Sequence, residues 1–158
     1  MSAEQLWVDS YQGEVLGEAL FGALADREVD QEHREQLQVL ARLEAATKEL
    51  AEPVFQRRGL DRGDTAATLV QAAELSAALA EISWEDFVGS IEPITVQFLE
   101  KYHQLVDLAP DEEERAVAEA YVAHELALAA FARRALGKEP GDPLELILAL
   151  PHLAAYAA

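Results

Sequence analysis

The chain contains no cysteine, which excludes disulfides, thiolate catalysis, zinc ribbons and iron–sulfur ligation together. Any metal must be held by carboxylate oxygen and imidazole nitrogen. No run of about 18 apolar residues occurs, so no membrane-crossing helix is expected. The opening segment, Met1 to Gln5, lacks the basic-then-apolar order of a secretory signal, and a cytoplasmic location is the expectation. Bases are also scarce: 12 Lys and Arg stand against 30 Asp and Glu, for a net charge of −18. Such a surface repels the phosphate backbone of nucleic acid and an anionic bilayer, so neither is an expected partner. There is no glycine-rich phosphate loop, no nucleophile elbow and no His-Glu-x-x-His.

What is present is helix-forming. Ala, Leu, Glu and Gln dominate, β-branched runs are missing, and apolar residues recur at three-four spacing along almost every long segment. The expected fold class is all-α. At 158 residues and 51% hydrophobic content, a single domain over 1–158 is expected. Core helices are read at about 3–25, 31–57, 84–108 and 111–136, with a crossover helix at about 64–82 and a tail over 138–158. Gly59 is placed as a helix C-cap, Asp64 and Ser83 as N-caps, and Asp111 to Glu114 as an acidic first turn that suits a helix dipole. Pro93 is expected to kink the third core helix. The tail is read as a plug at one end of the bundle, with a homodimer contact as the alternative.

The segment 64–82 joins the second and third core helices. About nineteen residues at helical rise span roughly 28 Å, close to the length of a core helix. It can return the chain from one end of a bundle to the other. Two hairpins joined by one long crossover is a known connectivity of four-helix bundles.

Candidate chemistry lies in polar residues that interrupt apolar stripes, because a buried carboxylate is costly unless paired or bound to metal. Glu14 and Glu18 fall between Trp7, Tyr11 and Phe21. Glu44 falls among Leu37, Leu40, Thr47 and Val54. Glu92 flanks the apolar face of the third core helix. His124 stands in the middle of Val117, Tyr121, Leu128 and Phe131, with Glu125 beside it. Glu14, Glu44 and His124 all fall near mid-helix, at depths that allow them to converge, with Glu18, Glu92 or Glu125 completing a cluster.

Through GEVLGEALF (Gly13 to Phe21), RLEAATKEL (Arg42 to Leu50) and VAHELAL (Val122 to Leu128), the chain resembles the ferritin-like superfamily, including rubrerythrin-type and di-iron oxidase relatives. The resemblance lies in pattern and arrangement over the four core helices. It implies a ferritin-like bundle with a helical crossover between core helices 2 and 3 and a short C-terminal helix. It also implies iron or manganese as the bound ion and an oxidoreductase activity. Carried over by position, Glu14, Glu44, Glu92 and His124 match one family ligand each. Thr47 stands where a histidine is expected and Tyr121 where a glutamate is expected; Glu18 and Glu125 are the compensating carboxylates.

Each of these residues taken alone is more often a hydrogen-bonded core group than a ligand. A metal-free acidic scaffold or interaction module is therefore the alternative. The literal Glu-x-x-His, Glu100 to His103, lies on the side away from Phe87, Ile91, Ile94 and Phe98 and is read as a coincidence of spacing. Tyr11, Tyr102 and Tyr121 are candidates to line an access pocket.

Overall fold

The computed structural model describes residues 1–156, and among them the chain is helical without a strand. The all-α expectation holds. Residues 157 and 158, the end of the tail read over 138–158, lie outside the described residues. No helix among the described residues is long and apolar enough to cross a membrane. The chain divides into two compact units, Met1–Glu81 and a second that begins at Ile82.

The first unit holds α1 (Ala3–Arg27), α2 (Gln31–Leu50), α3 (Glu52–Arg58) and α4 (Thr65–Ala78). Ser2 opens α1 through a capping box with Gln5, and Asp30 opens α2 by accepting from the His33 amide at 3.0 Å. These caps satisfy amide donors that have no partner within the helix. α1 packs along α2 and α4. Its core includes Leu6, Trp7 and Leu24 from α1 and Leu37, Leu40 and Leu43 from α2, all essentially buried.

The helix expected over 31–57 is two helices, α2 and α3, separated at Ala51. Pro53 accounts for the break, since it has no amide to donate and is tolerated only in the first turn of a new helix. Gly59 ends α3 in the left-handed region, φ 63°. The loop that follows is tied to α1 by Gln12. Its side-chain amide donates to the Arg62 carbonyl, and its oxygen accepts from the Thr68 hydroxyl at 2.6 Å.

α4 turns Ala72 and Ser76 inward, and Arg27 donates to the Ser76 carbonyl. Leu69, Val70 and Leu75, apolar residues of this helix, remain exposed at 47%, 59% and 37%. Its large apolar side chains therefore do not form its packed side.

The second unit holds α5 (Trp84–Gly89), α6 (Ile91–Leu108), α7 (Glu112–Ala135), α8 (Glu145–Leu148) and α9 (Pro151–Ala155). Ser83 caps α5 by accepting from the Asp86 amide, and Asp111 caps α7 by accepting from the Glu114 amide. The kink expected at Pro93 falls at Ser90 instead. Pro93 occupies the third position of α6, where a helix needs no amide donor, so the bend moves to the residue before that helix begins. α6 packs along α7, burying Tyr102 and Leu105 from one and Tyr121, Leu128 and Phe131 from the other. α8 and α9 are short and bury Ile147 and Leu153.

Candidate metal centre

In the first unit, seven-residue steps set the buried stripes, because two helical turns return a side chain to nearly the same face. Trp7, Glu14 and Phe21 follow one such step on α1. Leu37 and Glu44 follow another on α2, which reaches Ala51 at its C-cap. Glu14 is 1% exposed and Glu44 6%, so both carboxyl groups lie on packed faces, as the sequence pattern expects. Thr47, one turn beyond Glu44, uses its hydroxyl to donate to the Leu43 carbonyl at 2.8 Å. The position where the family pattern expects an imidazole is thus occupied by a buried hydroxyl engaged with its own helix.

Glu44 is seated against α1. A side chain built at Gly17 would come within 2.6 Å of the Glu44 carboxyl carbon, and carbon atoms in ordinary contact stand roughly 3.5–4.0 Å apart. Glu18, by contrast, sits at the edge of the helix pair with its carboxylate on the Lys48 ammonium, both groups partly exposed.

In the second unit the same step relates Val117, His124 and Phe131 on one stripe of α7, and Ala118, Glu125 and Ala132 on the next. His124 has no exposed surface and Glu125 is 5% exposed. Successive residues point about 100° apart, so burial of both means that α7 is enclosed over a wide arc. His124 Nε2 and Glu125 Oε1 lie 3.8 Å apart, longer than a hydrogen bond and longer than the roughly 3–3.5 Å that separates neighbouring donors on one ion with bonds of about 2.1 Å. Tyr121 is buried one turn before His124, its ring edge-on to Tyr102 with centroids 5.1 Å apart.

His152 is a polar group that the sequence pattern did not single out. It lies in α9, partly buried, and its pKa is pushed down to about 4, first by burial and then by the charge of His124. At neutral pH its imidazole is uncharged, the form that offers a lone pair to a metal. The available signal was a histidine between Leu150 and Leu153 just after a helix-starting proline. It is weak because five residues are too few to show a periodicity.

Glu92 lies on the open side of α6, paired with Arg133 at 3.5 Å, both side chains more than a third exposed. It borders a groove of about 430 Å³ with Val88, Pro93, Ala132 and Leu136. Glu100 and His103 are exposed, as their face predicts. Tyr11 stands in a different network: its ring lies 5.1 Å from Phe55. Burial and then the Glu52 charge raise its pKa. Arg62 hydrogen-bonds Glu52 and holds that carboxyl below its ordinary range.

Each unit therefore buries donors of its own, Glu14 and Glu44 in the first and His124 and Glu125 in the second. Carboxylate oxygens and an imidazole nitrogen are not the soft ligands that thiolate-seeking ions prefer. No protein-family model, curated protein or solved structure matches the chain.

Proposed function

We propose that this chain is a ferritin-like metal-binding protein, with iron or manganese held by carboxylate and histidine ligands. Its helices would follow the four-helix plan, with α1, α2, α6 and α7 as core helices and α4 as the crossover between the second and third. Glu14, Glu44, His124 and Glu125 are the leading ligands, and Glu18 and Glu92 are outer carboxylates. The observation that carries the reading is the burial of those four donors within long helices. An ionised carboxylate removed from water is expensive unless a cation or several donors compensate it. Bound there, the ion would supply redox or oxygen chemistry, which makes an oxidoreductase the enzyme class to test. The chain's own contribution would be to orient the donors and keep them from bulk water.

Metal analysis of tag-free protein, purified and then reloaded with iron or manganese, tests the proposal. Glu44→Ala and His124→Ala are expected to lose the metal, and Glu100→Ala to keep it. Equal metal content in all of them would refute it.

The second reading is a metal-free acidic interaction module. It draws on the exposed Leu69, Val70 and Leu75 of α4, which a homodimer or another apolar partner would cover. A monomer by light scattering at high concentration, with no metal bound, would leave neither the metal ion nor the homodimer as a partner.

A further inference from the structure

Gly17 lies in the interior of α1, a helix of 25 residues, where glycine is a poor choice because it weakens a helix relative to alanine. Its backbone does not require it. The glycines with positive φ among the described residues are Gly59, Gly63, Gly137 and Gly141, and Gly17 is not one of them. What remains is space. A methyl group at position 17 would stand 2.6 Å from the Cδ of Glu44 and 2.9 Å from its Cγ and Oε1. Gly22, on the same helix, has nothing within 4 Å of the same added atom. The two glycines differ in what they make room for.

Glu44 cannot yield to such a methyl without leaving its present seat. It is 6% exposed and stands in the buried run Leu43 to Thr47, so its carboxyl group would have to find a new position inside a packed helix pair.

We propose that Gly17 is a positioning residue: the absence of a side chain there forms the seat that holds the Glu44 carboxyl group against α1. Its consequence for metal affinity rests on the metal reading above, whereas its consequence for packing does not. Gly17 touches no ion itself and acts only through Glu44.

Two measurements on the full chain test this. The first is a thermal cycle on chelator-treated protein with Gly17→Ala, Gly22→Ala, Glu44→Ala and the Gly17→Ala/Glu44→Ala double variant. Gly22→Ala should raise the melting temperature by about 1–3 °C, the ordinary gain for glycine replaced by alanine in a helix. Gly17→Ala should show no such gain with Glu44 present and recover it in the Glu44→Ala background. Should Glu44→Ala fail to fold, Glu44→Asp, shorter by one methylene, takes its place in the cycle.

The second is manganese affinity by equilibrium dialysis. Gly17→Ala should weaken it by about tenfold or more, as loss of a ligand's support does, and Gly22→Ala should leave it unchanged. Equal behaviour of Gly17→Ala and Gly22→Ala in the thermal cycle would overturn the seat. An additive cycle would do the same. If the wild-type chain binds no manganese, the metal reading fails and the thermal cycle alone decides on the seat. Normal affinity in Gly17→Ala, beside a coupled thermal cycle, would overturn the functional part and leave only packing.

Discussion

Leu40 has no exposed surface on the inner side of α2, and its side chain carries no polar group. Leu40→Ala should cost about 2–5 kcal/mol in urea denaturation, the sum of lost burial and the cavity left behind. Glu14 and Glu44 lie on the same kind of stripe, and that is why they were legible in the sequence: an acid at a seven-residue step from Trp7, Phe21 or Leu37 stands out against an apolar pattern. His124 was legible for the same reason, and Glu125 only as its neighbour. His152 was not, because α9 is too short for a period to show. The seat at Gly17 was not legible either, since a glycine inside a helix announces neither its neighbour nor the space it leaves.

At the scale of elements, capping and proline chemistry set the breaks. Gly59→Ala places a side chain at φ 63° and should destabilise the first unit by about 1 kcal/mol, read from its denaturation midpoint. The clasp of Glu52 with Arg62 adds a pH dependence. The folded carboxyl is held below its ordinary range, so its contribution is present above the unfolded value of about 4.3 and is lost as pH falls through the folded one. Stability measured from pH 6 to pH 3 should fall less steeply in Glu52→Gln than in the natural chain; identical slopes would remove the clasp from the account. Caps were readable because Asp64, Ser83 and Asp111 are side-chain acceptors followed by helix-forming residues. The split at Ala51 and the shift of the bend from Pro93 to Ser90 were not. A proline marks the neighbourhood of a break, and which residue absorbs the change depends on how the flanking turns pack.

At the scale of the whole molecule, a net charge of −18 on 158 residues opposes compaction through self-repulsion. Raising sodium chloride from about 10 mM to about 150 mM shortens the screening length from roughly 30 Å to 8 Å, and the melting temperature should rise. A fall would mean that the ion pairs outweigh the repulsion. The helical class was readable from periodicity alone, whereas the packed side of α4 was harder, because its large apolar residues Leu69, Val70 and Leu75 lie exposed. The central claim is that buried oxygen and nitrogen donors hold a metal ion, and equilibrium dialysis of tag-free protein against manganese tests it most directly. The natural chain should retain at least about one ion per molecule, and a Glu14→Gln/Glu44→Gln variant that still folds should retain none. No retention by the natural chain, or equal retention by both, would contradict it.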